Sequence, residues 1–333
     1  MRILSKIVIL SAFCGVLANT VAAQETTFFR IGTGPTADTL YSVGTAIAAG
    51  ISNPLGSRPC DKGGGCGVAG LIATAQSTGG AFENVELIRR GELDSALVQA
   101  DVAHWSHYGT GPYLTKAPIS ELRVVANIFR VAVHVVVRAD SQIRTIYQLE
   151  GKRVSLGPAG SGARENSRDI LGVYGISVGD IKVLQLKPGP AADALMAGEI
   201  DAYFEVGAEP IAAIADLAKQ LPLRLLAVAG PPGKILRETR PFFAEAKITD
   251  GTYENVLGVP SVSLAEQWII SANTPIERVK DLTRALWHKN TRRMLAEAHP
   301  NGKFDALENA ARNITVPLHL GAKAFYDELN AEE

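Results

Sequence analysis

Three short stretches combine glycines and small hydroxyls in a way that serves binding: Gly32-Thr33-Gly34-Pro35-Thr36, Ser77-Thr78-Gly79-Gly80 and Gly160-Ser161-Gly162-Ala163. Each follows an apolar run that reads as a strand, and a helical pattern follows each in turn. Such loops offer free backbone N–H groups at the positive end of a helix, which favour an anion. Capping of a helix by Ser or Thr explains either of the last two loops alone. The two at matching positions favour a small ligand with one or two carboxylates.

Other chemistries find less support. Residues 32–37 fit the loose dinucleotide pattern G-x-G-x-x-A, but the acid expected about 20 residues later is missing. No cofactor is therefore expected. No G-x-S-x-G elbow offers a hydrolytic nucleophile, so the chain does not read as an enzyme. His104 and His107 could share a helix face, yet no third ligand accompanies them, and no metal site is expected. Glu205 and Glu209 flank a strand end. A carboxylate facing a binding cleft there would pair with a ligand amine; solvated loop acids are the other reading.

The chain has 333 residues, 47% of them hydrophobic and 20% charged, enough for two lobes with buried cores. The formal charge of −1 and the lack of a basic run exclude a nucleic-acid partner. Arg2 and Lys6 precede an apolar run, and Val21-Ala22-Ala23 follows it. Residues 1–23 read as a cleavable secretory signal, too short to span a membrane, which places the mature chain in the periplasm. The mature chain keeps Cys60 and Cys66, with five residues between them in a glycine-rich loop. In an exported chain this spacing predicts a disulfide.

The elements that must position these loops alternate. Strands are predicted at 28–32, 70–75 and 93–98, with helices at 38–51 and from 81, the latter capped by Ser77 or Thr78 and closed at Gly91. This is the grammar of a parallel α/β sheet, whose ligands sit outside the carboxyl ends of the strands. Gly32 to Gly34, Gln76 to Gly80, and Gln99 to Asp101 all lie at such ends and should converge. The pattern recurs with strands at 131–138, 152–156 and 181–186 and helices at 163–174 and 191–197. "GEIDAYFEV" (198–206) echoes "GELDSALVQ" (91–99). A strand at 262–271, a helix at 276–288 and a last helix finish the chain. The expectation is an α/β protein of two lobes, 24–138 with 260–333 and 139–259. Two crossovers would form a hinge beside a ligand cleft.

Four stretches, "QSTGGAFENVELIRRGELDSALVQAD", "VHVVVRADSQI", "LEGKRVSLGPAGSGAREN" and "VPLHLGAKAFY", resemble the TAXI solute-binding proteins of tripartite TRAP transporters. The resemblance runs in order over nearly all the mature chain. It implies a type II-like periplasmic-binding-protein fold that closes on a small organic acid, glutamate-like or a dicarboxylate, and delivers it to TRAP membrane subunits. A monomer is expected. Carried over residue by residue, the ligand contacts are Thr33, Gly34, Thr36, Tyr41, Ser77, Thr78, Gly79, Gln99, Asp101, Ser161 and Gly162, with Glu205 added for a ligand amine. The sequence departs from the family at Pro35, Ala37, Asp38 and Leu40, at Ala163 where a threonine is common, and at Glu205. A receptor for a signalling partner and an exported enzyme on the same fold are the alternatives.

Overall fold

A computed structural model describes residues 26–36, 38–299 and 304–332. The expected signal segment, residues 1–23, lies outside them. The chain begins β1 (Thr27–Gly32), α1 (Thr39–Ile51), the short β2 (Ser52–Asn53) and β3 (Val68–Ala69), β4 (Leu71–Gln76), α2 (Ala81–Arg89), β5 (Ser95–Gln99) and α3 (Ala100–Tyr108). As the apolar alternation required, β1 pairs in parallel with both β4 and β5.

The long strand β6 (Leu122–Arg138) then enters the second lobe. There follow β7 (Arg153–Ser155), α4 (Gly162–Val173), β8 (Lys182–Leu184), α5 (Pro188–Met196), β9 (Ala202–Gly207), α6 (Ala212–Ala218), β10 (Leu223–Leu225), α7 (Gly230–Thr239) and β11 (Ala244–Ile248). The strand β12 (Val259–Ser271) returns, and α8 (Ile276–Trp287), α9 (Lys289–Ala298) and α10 (Leu320–Glu332) close the chain.

One ten-stranded sheet runs β4-β1-β5-β12-β6-β9-β7-β8, with β10 added to β6 and β11 to β12. β6 pairs with β12 through residues 122–132 and with β9 through residues 132–137, both antiparallel. β12 likewise pairs with β11 near its start and β5 near its end. These two strands are thus the crossovers between lobes. β6 begins nine residues before the predicted 131, because Asn127 and Arg130 interrupt its apolar run. Asn127 is nevertheless buried: it accepts from Gln267 Nε2 (2.9 Å) and donates to Arg312 O (2.8 Å). The parallel sheet expected for the first hundred residues is therefore one part of a mixed sheet.

The echo between the lobes is physical. Helix α2 ends at Gly91 (φ 71°) and α5 ends just before Gly198 (φ 73°), the left-handed backbone that glycine adopts at no steric cost. Three residues on, the Asp94 carboxylate accepts from Arg30 N (2.7 Å) and its guanidinium (2.9 Å) on β1. Asp201 does the same for Arg153 of β7 (2.8 Å each to N and Nη2). The corner locks each strand to its parallel neighbour in the sheet, β5 to β1 and β9 to β7. The expected disulfide is present, Cys60 to Cys66, with Cα atoms 4.8 Å apart.

Candidate functional site

The order β4-β1-β5 brings three carboxyl ends together, and side chains stitch them. Thr33 Oγ1 donates to Gln76 O (2.7 Å), and Ser77 Oγ donates to Gly34 O (3.1 Å). Thr78 Oγ1 lies 2.8 Å from Thr33 O and 2.7 Å from Asn84 Oδ1, and accepts from Gly80 N at 3.1 Å. Asn84 of α2, fully buried, donates to Thr33 O (2.7 Å) and Leu97 O (3.0 Å), tying the ends of β1 and β5. Nothing in its local pattern marked it. It also explains Gly32: a Cβ there would stand 2.4 Å from Leu93 and 2.7 Å from Asn84 Oδ1.

The N-cap of α2 is Gly80. The expected caps, Ser77 and Thr78, instead turn back to the β1 loop. Glu83 completes the turn by accepting from Gly79 N at 2.6 Å. An acid of the helix itself therefore occupies one of the donors that an anion would use. In the second lobe Ser161 is the N-cap, accepting from Arg164 N at 3.2 Å.

The two lobes meet where α4 faces the end of β5. A Cβ on Gly162 would stand 3.2 Å from Asp101 Oδ2 and 3.4 Å from Gln99 Oε1. Asn166 Nδ2, one helical turn on, donates to Gln99 Oε1 (3.3 Å), and Gln99 Nε2 donates to Glu266 Oε1 (3.1 Å). Glu266 lies at a register shift of β12, and such bulges re-aim side chains. Asp101, Asn166 and Glu266 are all buried. Burial pushes the Asp101 carboxyl up to about 7, although the Val102 N–H and Asn166 pull it back. Burial also pushes Glu266 up to about 8; the Gln99 hydrogen bond opposes this, and Asp38 and Asp101 add to it.

Of the expected contacts, Thr33, Gly34, Ser77, Thr78 and Gly79 form one stitched surface. Gln99, Asp101 and Gly162 form the lobe-to-lobe contact, and Ser161 caps the helix beside it. Thr36 is exposed and Tyr41 half-buried on α1. None of the hydrogen bonds of the two clusters reaches Glu205. It sits on β9 opposite His134, and burial pushes it up to about 7. Sequence reading missed Asn84, Asn166 and Glu266, and also Arg164, whose buried Nε makes no hydrogen bond among the described residues. A cavity of ≈ 620 Å³ adjoins this contact between α3 and α4, lined by His104, Trp105, Arg168, Asp169 and Phe242 among others. His104 and His107 pack on Tyr108, and His104 also on Phe242. His288 Nε2 approaches Cys60 Sγ at 3.9 Å, but both sulfurs are held in the disulfide. Among the described residues no helix is long and apolar enough to cross a membrane.

The sequence matches the NMT1-like family over residues 31–329, and the chain belongs to that family. Solved structures share the fold. A TctC solute-binding protein from Polaromonas, solved without ligand, is 18% identical with a TM-score of 0.54, over 92% of this chain and 98% of that one. A Xanthomonas citri protein bound to ATP is 12% identical with a TM-score of 0.54, over 91% and 99%. A periplasmic sulfonate-binding protein, SsuA, from Methylobacillus flagellatus is 12% identical with a TM-score of 0.50, over 92% and 96%. The shared architecture is the mixed α/β, two-lobed periplasmic-binding-protein fold.

Proposed function

We propose that this NMT1-like family member is an extracytoplasmic receptor that closes on a small organic acid, glutamate-like or a dicarboxylate, and delivers it to TRAP membrane subunits. The lobes are residues 24–138 with 260–333, and residues 139–259. The chain acts as a monomer in the periplasm after loss of its signal. The observation that carries this reading is the meeting of the first lobe's β5 end, Gln99 and Asp101, with Gly162 and Asn166 at the N-terminus of α4 in the second. An anion there would meet the N–H groups of α4 and the free Nε of Arg164. Solute-binding proteins among the structural neighbours support the class, and the resemblance to TAXI receptors supports the acid and the permease. Only the closed state offers donors from both lobes at once, so the ligand favours closure.

The test is thermal unfolding of the mature chain, first unfolded and refolded to strip carried-over ligand, with glutamate, glutamine, 2-oxoglutarate, C4-dicarboxylates and monocarboxylates. An acid at about 100 times its dissociation constant should stabilise the chain by about 2.7 kcal/mol. No shift with any acid would overturn the reading.

A further inference from the structure

The junction between the lobes is a chain of donors that runs out. Asn166 of α4 donates to Gln99, and Gln99 donates to Glu266. Three buried acceptors then remain without a hydrogen bond among the described residues: Asn166 Oδ1, Asp101 Oδ2 and Glu266 Oε2. The other Asp101 oxygen already accepts from Val102 N at 2.7 Å. A buried acceptor without a donor costs about 1–3 kcal/mol, more for a charged group. Two carboxylates beside an amide oxygen cannot relieve one another while both are ionised.

Among the described residues no cation compensates them. The charged groups that act on the pair are Asp38, the N-cap of α1, and Asp169 of α4; both are acids, and Asp169 is held by Arg240 at 2.8 Å. Arg164 and Glu165, in the first turn of α4, face each other at 3.8 Å. β6 places Phe129 opposite Glu266, and β5 places Gln99 there. The N-terminus of α4 faces Asp101, but among the described residues none of its backbone N–H groups donates to that carboxyl, and the Asn166 amide, near enough to hold the carboxyl down in part, donates to Gln99.

We propose that Asp101 and Glu266 form a proton-binding site completed across the lobes by Asn166: one carboxyl is held as the acid and supplies the hydrogen that the cluster lacks. The proton comes from solvent onto a carboxylate oxygen as the lobes meet. It returns when they part and water reaches both groups. The upward shift of both carboxyls agrees with this geometry. A proton held only in the closed form favours that form, so closure strengthens as pH falls. The consequence for ligand affinity rests on the receptor reading; the protonation does not.

The test is therefore made on the mature chain without ligand, by following the ¹³C resonances of its side-chain carboxyls from about pH 4 to about pH 9, around the ordinary carboxyl value of about 4. Besides Glu205 and Asp305, which burial also raises, two carboxyls are expected to titrate well above that value, one absent from Asp101→Asn and the other from Glu266→Gln. Thermal stability of the wild type should decline from about pH 4 to about pH 8, since the folded pKa values are raised. The double variant should lose a part of that decline which Glu205→Gln leaves intact. Ordinary titration of both carboxyls in the wild type would overturn the proposal, whether or not the variants fold. So would an undiminished decline in a folded double variant. Neither result depends on finding a ligand.

Discussion

In each lobe a helix ends at a left-handed glycine, and the aspartate three residues later grips an arginine on the neighbouring strand, Asp94 with Arg30 and Asp201 with Arg153. Beyond that shared corner the lobes differ. The strand after Asp94 ends in Gln99 and leads to Asp101, whereas the strand after Asp201 has Val206 and Ala208 at the matching places. The first lobe thus brings polar side chains to the junction, and the second brings the backbone start of α4 with Asn166. The helix starts differ too. Glu83 already occupies Gly79 N at α2, while Ser161 caps α4 and leaves Gly162 against the opposite lobe. Repeating a corner stabilises both halves; differing at its tip lets one half supply what the other lacks.

The sharpest way to break the first lobe's stitching is Asn84→Ala. It leaves Thr33 O and Leu97 O without their donor, and a loss of about 3 kcal/mol is expected in denaturant unfolding. Asp94→Ala and Asp201→Ala test the shared corner, with about 1–2 kcal/mol lost from each. Very unequal losses would mean that the corners are alike in shape only. Glu205 gives a pH contrast with the first lobe's acids. Burial raises its pKa to about 7, so its contribution is present at low pH and is lost as pH rises from about 4 through that value. Stability curves of Glu205→Gln should lack this part of the decline, roughly 1 kcal/mol after relaxation of the site. The smallest effect concerns the helix starts. Ser161→Ala should cost about 1 kcal/mol as a lost N-cap, and Ser77→Ala under about 0.5 kcal/mol, because Ser77 caps no helix.

The repeated corner could be read from the chain because it is local: glycine, acid and aspartate lie within four residues and recur. The strand ends could be read because the apolar runs stop at Gly32, Gln76 and Gln99. The disulfide followed from spacing and the expectation of export. Less was legible where a polar residue works over distance. Asn127 and Arg130 hid the first half of β6, since a buried asparagine satisfied by Gln267 and the C-terminal segment looks like a break in a strand. Asn84, Asn166 and Glu266 sit in helical or strand patterns like any others, and only the packing of α2, α4 and β12 gives them roles. Ser77 and Thr78 misled for a related reason: hydroxyls before a helix resemble caps, but the neighbouring β1 loop offers them closer carbonyls.

Closure of the two lobes on a small acid would show as a change in the distance between them. Spin labels on exposed Arg89→Cys in the first lobe and Lys219→Cys in the second would report it by pulsed electron resonance, with the native disulfide intact. One organic acid from the panel should collapse a broad distance distribution to a single shorter one. A distribution that no acid alters would contradict the account.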